Sequence, residues 1–345
     1  MAPDEVRVHT LAEAIGRLRT PDAAEAFGPL GDERLLAVDV ESGGPTLPGS
    51  ADALRTRLAR LPCPTVALAR GGAHGAVAKR WAQAFDVVVE SEEELARVAD
   101  TAARVPIAAA TCAQLLRLGA WRDLEAGLVA ESLAYATLQA GPEFAAWLEA
   151  RRAAHPPRTD PAEPPPVRIA RDGDRLHVTL DRPARRNAFS AAMRDALIEA
   201  LALAAADASL REVQLDGAGP AFCAGGDLDE FGTRPDPATA HVVRTTRSAA
   251  RALAALAPRV VAVVHGACVG AGLELAAFAG RVRVRPDARF QLPELAMGLV
   301  PGAGGTVSLP RRIGRHRTAW LALTGSAIDA RTALDWGLAD EMAPA

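Results

Sequence analysis

The stretch His265-Gly-Ala-Cys-Val-Gly-Ala-Gly-Leu-Glu-Leu-Ala276 decides the fold of the second half of the chain. It follows Val260–Val264, an apolar and β-branched run typical of a buried strand, and it leads into a helix. Glycines at a strand-to-helix turn let backbone N–H groups approach a ligand, and the helix dipole there favours negative charge. Glu274 follows about one turn into the helix. The pattern predicts a site that stabilises a developing anion beside a carboxylate.

A second carboxylate and a second glycine-rich turn follow closely. Arg281–Val284 predicts another strand, and Phe290-Gln-Leu-Pro-Glu294 and Val300-Pro-Gly-Ala-Gly-Gly-Thr306 come after it. Two carboxylates in different environments can divide acid and base work between them, and exposed backbone donors can hold an oxyanion. We therefore predict Glu274 and Glu294 as a catalytic pair for proton transfer beside a polarised carbonyl.

Composition excludes several functional classes. The chain has 345 residues, of which 49% are hydrophobic and 23% charged, as in a globular protein. A net charge of −3 and an aromatic content of 4% argue against a nucleic-acid partner. Cys63, Cys112, Cys223 and Cys268 lack metal-like spacing, so we expect buried thiols in a reducing compartment and no metal. Without a signal-like or bilayer-spanning apolar run, we expect a cytoplasmic location and no membrane partner.

The Pro-rich residues 153–166 are the clearest domain boundary. Residues 1–152 before it combine strands and helices, and their last part, residues 92–152, is almost wholly helical in pattern. Residues 167–345 alternate strands and helices, which favours an α/β architecture.

An internal repeat connects the two halves. Leu58–Gly71 aligns without gaps on Leu253–Gly266, and residues 45–52 align more weakly on residues 220–227. Lys79 stands in the first copy where Glu274 would stand, so that copy lacks the predicted chemistry. The repeat predicts that the first half is a degenerate duplicate.

Three further motifs complete the pattern in the second half. They are Asp181-Arg-Pro-Ala-Arg-Arg-Asn-Ala188, Ala221-Phe-Cys-Ala-Gly-Gly-Asp227 and the helical stretch Leu323–Asp340. With the two glutamate loops, in this order and spacing, residues 167–344 resemble the crotonase (enoyl-CoA hydratase/isomerase) superfamily. The resemblance implies an α/β, ββα spiral core with flanking helices, preceded by a shortened and degenerate crotonase-like domain.

The resemblance also implies residue roles. The N–H groups of Ala224 and Ala271 would hold the thioester oxygen as an oxyanion hole. Glu274 would activate a water for C3, and Glu294 would give or take the C2 proton. The residues implied for the coenzyme A moiety are Gly225, Gly226, Asp227, Arg182, Arg185 and Ala188.

The implied activity is that of an enoyl-CoA hydratase, or of the reverse dehydratase. Such a carbon–oxygen lyase of fatty acid metabolism takes an acyl-CoA thioester as substrate and needs no metal or redox cofactor. The presence of both Glu274 and Glu294 favours hydration over double-bond isomerisation or another enolate-forming reaction. A non-catalytic module that binds CoA thioesters is the alternative outside enzymology. The family's trimers and hexamers imply a homo-oligomer.

The helical residues 92–152 carry a resemblance of their own. Asp123–Glu131 and Phe144–Arg151 resemble parts of the terminal helices that close the acyl pocket in the family. We therefore hypothesise that residues 92–152 cap the active site of residues 167–345, although they precede it in the chain.

Overall fold

The computed structural model describes most of the chain and divides it into two compact units. The described ranges are residues 6–42, 49–72, 75–155, 164–233 and 236–343. The first unit comprises Met1–Gly119 with Gly314–Gly325, and the second comprises Ala120–Ile313 with Ser326–Ala345.

This division differs from the predicted boundary at residues 153–166. Residues 120–152, predicted as part of the first domain, group with the second unit instead. Residues 156–163 of the Pro-rich segment and residues 45–48 of the weaker repeat lie outside the described residues.

The first unit is built on a parallel sheet whose strands run in chain order. The strands are β1 (Val8–Thr10), β2 (Leu36–Asp39), β3 (Thr65–Leu68) and β4 (Val87–Val89). The helices are α1 (Leu11–Arg17), α2 (Ala23–Ala26), α3 (Ala51–Leu58), α4 (Ala76–Trp81), α5 (Glu92–Arg104) and α6 (Pro106–Leu118). All four residues of β3 are buried, as expected for a parallel sheet covered on both faces. Phe27, Trp81 and Phe85 fill the core of this unit.

The described residues of the second unit form two sheets. The strands of the larger sheet are β5 (Val167–Asp172), β6 (Arg175–Leu180), β7 (Glu212–Gly217), β9 (Val260–Val264), β11 (Arg281–Val284) and β14 (Glu341–Met342). Their order is β14-β11-β9-β7-β6-β5, and the sheet is parallel except for the hairpin of β5 and β6. The strands of the smaller sheet are β8 (Ala221–Cys223), β10 (Ala267–Val269), β12 (Arg289–Gln291) and β13 (Ile328–Asp329), in the order β13-β12-β10-β8.

The remaining helices of the described chain begin at residue 124 or later. They are α7 (Leu124–Gln139), α8 (Pro142–Ala154), α9 (Ala191–Ala206), α10 (Pro237–Thr246), α11 (Ala249–Leu256), α12 (Ala271–Ala276), α13 (Gly305–Thr324) and α14 (Ala330–Trp336). Short 3-10 turns occur at Ala82–Ala84, Ala120–Arg122, Pro183–Arg185, Leu228–Glu230, Ala257–Arg259 and Glu294–Met297. Helix α13 is interrupted at Gly314 (φ 80°, ψ 160°), where the chain passes from the second unit to the first.

Local sequence signals explain where several of these helices begin and end. The Ser190 side chain accepts from the N–H of Met193 and caps α9. Gly119, in the left-handed region with φ 67°, ends α6, and Pro142 occupies the first turn of α8. The predicted α/β class and the predicted strands β9 and β11 are confirmed.

The cysteines and the apolar character of the helices were considered above from composition alone. All four cysteines are buried and free, as predicted. None of the described helices combines the length and the apolar character needed to cross a bilayer.

Candidate active site

Three neighbouring parallel strands of the smaller sheet position the site. β10 pairs in parallel with β8 on one side and with β12 on the other. Parallel strands bring their carboxyl ends to one edge, where the connecting loops meet. The loop after β8 holds residues 224–227, β10 leads to Ala271 and Glu274, and β12 leads to Glu294. The topology thus gathers the three predicted motifs at one edge.

Glu274 lies on the short helix α12 and is 2% exposed. Its Oε2 accepts hydrogen bonds from the N–H groups of Ala303 (2.7 Å) and Gly305 (2.8 Å) in the second glycine-rich turn. A Cβ on Gly305 would stand 2.6 Å from Glu274 Cγ, so only glycine lets the turn approach this closely. The turn therefore fixes the carboxylate from one side.

Glu294 begins the 3-10 turn after β12 and is 7% exposed. Its Oε1 lies beside Gly270, where a Cβ would come within 2.5 Å of it. Its Oε2 is buried and has no hydrogen-bond partner among the described residues. A buried carboxyl oxygen without a partner is costly unless the group is protonated or a ligand or water reaches it.

A third buried carboxylate, Glu131 of α7, joins the same turn and was missed by the sequence analysis as a site residue. Its Oε1 accepts from the N–H of Gly304 (2.7 Å), and its Oε2 accepts from the N–H (2.8 Å) and the hydroxyl (2.7 Å) of Thr306. A signal was present in the sequence. Leu124, Leu128, Glu131 and Leu138 follow helical spacing, which places the acid on the apolar face of α7.

Burial raises the pKa of all three carboxyl groups. The pKa of Glu274 lies well above its usual range because of burial and of the neighbouring charges of Glu294 and Glu131, against the two backbone donors. Burial raises the pKa of Glu294 to about 8 and that of Glu131 to about 7. Like charges this close resist simultaneous ionisation, so the cluster retains a proton near neutral pH.

The backbone donors correct one predicted role. The N–H of Ala224 already donates to the carbonyl of Arg186 at 3.0 Å, so it is not available to an oxyanion. The next peptide group is oriented differently. The N–H of Phe189 donates to the carbonyl of Gly225 (2.8 Å), and the carbonyl of Phe189 accepts from the N–H of Asp227 (3.0 Å).

A trans peptide whose carbonyl points toward Phe189 directs its N–H, that of Gly226, the opposite way. In the described part of the chain this N–H has no acceptor, and neither has the N–H of Ala271 in the first turn of α12. Gly226 and Ala271 both line the cavity described below. They are the available donor pair.

Comparison with known proteins finds similarity over the second half of the chain. The family model described as "Enoyl-CoA hydratase/isomerase" matches residues 175–345. The 2,3-dehydroadipyl-CoA hydratase of Escherichia coli (strain K12) is 36% identical over 176 residues, which cover 51% of this chain and 68% of that protein. This chain belongs to the enoyl-CoA hydratase/isomerase family.

Other members differ in activity. The 1,2-epoxyphenylacetyl-CoA isomerase of the same strain is 39% identical over 47% of this chain and 64% of that protein. The chain therefore spans about two thirds of the length of these relatives. A solved enoyl-CoA hydratase structure from Mycobacterium smegmatis is 35% identical and covers 52% of this chain and 70% of its own, with a TM-score of 0.48.

Some of the residues implied for coenzyme A line the cavity described below, and others join the loop after β6 to the loop after β8. Gly225, Gly226 and Asp227 line the cavity. Arg182, whose side chain is 8% exposed, donates to Asp227 (2.9 Å) and to the carbonyl of Ala188 (2.8 Å).

Arg185 is occupied in a similar way. Its guanidinium lies 2.6 Å from Asp229 and 3.5 Å from Asp227. In the structure both arginines thus lie against carboxylates of the loop after β8, which neutralise charge that a phosphate would otherwise meet.

A cavity of about 500 Å³ connects these groups in the second unit. Its walls include all three glutamates, the loop after β8, and residues of α7, α8, α10 and α11. Trp147 and Phe231 line it as part of an aromatic cluster, with ring centroids 5.9 Å apart. The volume and the apolar wall fit a small-molecule site.

One side of the cavity is polar. The guanidinium of Arg244 lies 4.6 Å above the ring of Tyr135 and donates to the Ser132 hydroxyl (3.1 Å) and the Gln139 side chain (3.0 Å). These contacts join α10 to α7. Other arginines of the wall have carboxylate partners, but no described carboxylate lies within salt-bridge distance of Arg244.

Proposed function

We propose that this chain is an enoyl-CoA hydratase-type lyase, which adds water to a 2-enoyl-CoA thioester or removes it in the reverse direction. One observation carries the proposal. Two buried carboxyl groups, Glu274 and Glu294, lie in one cavity with the unoccupied N–H groups of Gly226 and Ala271. Hydration of a conjugated thioester needs a base for water, an acid for carbon and donors for the enolate oxygen.

In the proposed reaction, Glu274 acts as the base and Glu294 as the acid. Glu274 takes a proton from a water molecule while the oxygen of that water bonds to C3 and the C2–C3 π bond breaks. The electron pair passes to the thioester oxygen, where the N–H groups of Gly226 and Ala271 stabilise the charge. C2 then takes a proton from Glu294 as the carbonyl re-forms, and the proton on Glu274 must return to Glu294, directly or through water, before the next turnover. Only protons and water move, so the reaction requires no redox cofactor.

The hydrogen bonds support this division of labour. Two backbone donors on Glu274 favour its ionised form, as a base requires. Burial raises the pKa of both carboxyl groups, so the assignment rests on their partners: Glu274 accepts from two backbone donors, whereas Oε2 of Glu294 has no partner among the described residues. The opposite assignment would ionise Glu294 while its buried Oε2 has no donor.

Double-bond isomerisation is the second candidate, because the family model that matches the chain is described as "Enoyl-CoA hydratase/isomerase". An isomerase moves a proton between two carbons and needs no water. The pair Glu274 and Glu294 supports hydration over that alternative, because hydration uses one carboxyl group as the base for water and the other as the acid for C2.

The test follows hydration of crotonyl-CoA and of a longer or aromatic 2-enoyl-CoA by loss of the conjugated thioester absorbance. Glu274→Gln and Glu294→Gln are each expected to lose about 10²- to 10⁴-fold in kcat. Glu125→Gln, a half-exposed acid on α7, is the matched control and should retain activity. If the wild type binds acyl-CoA but hydrates none of these substrates, the proposal is wrong, and conversion of a 3-enoyl-CoA would then support isomerisation.

A further inference from the structure

The glycine-rich turn of residues 302–306 is held between two buried glutamates from different elements. Its N–H groups alternate in direction. Those of Ala303 and Gly305 donate to Glu274, and those of Gly304 and Thr306 donate to Glu131. The four donor–acceptor distances lie between 2.7 and 2.8 Å. Successive peptide groups of the turn thus connect α12 on one side with α7 on the other.

We infer that Glu131 is a positioning residue for the proposed hydration reaction: by holding the turn, its carboxylate fixes the two N–H groups that orient Glu274. The inference rests on the proposed function for its kinetic consequence, although the contacts themselves do not. Glu131 acts through the turn and touches no reacting atom in this scheme.

The side chains packed around the turn require glycine within it. A Cβ on Gly302 would lie 2.5 Å from the Tyr135 ring, and one on Gly304 would lie 2.5 Å from the Phe278 ring. The turn therefore needs glycine to fit between these side chains, and glycine gives the backbone its greatest conformational freedom. Three hydrogen bonds to one buried carboxylate offset that freedom.

A glutamine at position 131 cannot reproduce the arrangement. A carboxylate offers an acceptor oxygen to each side, whereas an amide offers one oxygen and one NH₂ group. Whichever way the amide is turned, its NH₂ group faces the N–H of Gly304 or that of Thr306. One buried donor then loses its acceptor, and the turn must shift to relieve it.

The experiment compares Glu131→Gln with Glu125→Gln in the full chain. Both changes remove one carboxylate from α7, but Glu125 bonds to Arg251 of α11 and not to the turn. We expect Glu131→Gln to lower kcat for crotonyl-CoA hydration by about 10- to 100-fold, because a displacement near 1 Å costs about 100-fold. Its KM should change by less than about twofold, and Glu125→Gln should leave both constants near wild type.

The pH profile gives a readout that a purely structural anchor would not change. The charged or titratable groups near Glu131 are Glu274 on α12, Glu294, Arg244 on α10 and Tyr135 on its own helix. The charge of Glu131 raises the pKa of Glu294. Its removal should therefore move the alkaline limb of kcat to lower pH.

Hydrogen exchange of the peptide covering residues 299–313 separates this inference from the proposed function. We expect faster exchange there in Glu131→Gln than in Glu125→Gln at equal global stability. If exchange and kcat both stay within about twofold of wild type, the inference is wrong. If exchange rises but the wild type hydrates no enoyl-CoA, the proposed function fails while the role of Glu131 in holding the turn stands.

Discussion

Replacement of Gly270 by alanine tests whether Glu294 must occupy its observed position. Gly270 connects β10 to α12 with φ 49° and ψ −122°, a conformation open mainly to glycine. An added Cβ would lie 2.5 Å from Glu294 Oε1 and 3.6 Å from the Cα of Gly225. The nearest conflict is therefore with the proposed acid itself.

The magnitude follows from these distances. Ordinary van der Waals contact begins near 3.4 Å, so the carboxyl oxygen would have to recede by about 0.9 Å from the added Cβ. A displacement of about 1 Å at a reacting group costs on the order of 100-fold in rate, and we expect that loss in kcat for Gly270→Ala. The strained backbone should also lower the free energy of unfolding by about 1–3 kcal/mol.

Gly173→Ala is the matched control. Gly173 turns the hairpin between β5 and β6 with φ 57°, and a Cβ there would meet no atom within 4 Å. This variant should show the backbone strain without the displacement of Glu294. Hydration kinetics and urea unfolding of both variants separate the two effects. If kcat of Gly270→Ala lies within about threefold of that of Gly173→Ala, the position of Glu294 is not critical and the reasoning fails.

Two further predictions concern pH and the first unit. Because Glu294 is the proposed acid and its pKa is raised to about 8, kcat should fall as pH rises through about 8. Between about pH 4.5 and 8 the folded protein keeps this proton, whereas the unfolded chain releases it. The free energy of unfolding should therefore fall with rising pH across that window. Urea unfolding at each pH should show a smaller fall for Glu294→Gln than for the wild type. In the first unit, buried Asp86 accepts from Arg117 Nε (2.7 Å) and from Thr65 N–H (2.8 Å) and hydroxyl (2.7 Å). Asp86→Ala should cost about 3–5 kcal/mol in unfolding of that unit, because it leaves the largely buried Arg117 guanidinium without its carboxylate partner. A loss below about 1 kcal/mol would contradict this.

The sequence was most informative where the structure depends on neighbouring residues. The long helices α5 to α9 were predictable because helical spacing persists over many residues and proline, serine and glycine mark their ends. The three-residue strands β8, β10 and β12 were not, because a run that short shows no alternation. The two glutamate loops were predictable as continuous motifs.

The rest of the site depends on groups distant in the chain. Whether a particular N–H is free is set by an acceptor elsewhere, and the carbonyl of Arg186 removes Ala224 from the available donors. The family resemblance implied Arg182 for the coenzyme A moiety, but only the folded chain shows that Asp227 lies against its guanidinium. Glu131 stands more than 100 residues before the turn it holds, so only the folded chain brings them together.

The same dependence predicts that α7 and α8 are needed for a working second unit, and two truncated chains can test it. Both lack residues 1–119, but one begins at Ala120 and keeps these helices, whereas the other begins at Val167. Loss of α7 leaves the buried N–H groups of Gly304 and Thr306 without acceptors, at about 1–3 kcal/mol each. Loss of α8 uncovers the Phe231 ring that packs against Trp147. These costs are a large part of the 5–15 kcal/mol that typically stabilises a domain, so the shorter chain should be insoluble or inactive while the longer one retains more soluble, active protein. Equal solubility and equal hydration activity of the two chains would show that the second unit does not need these helices.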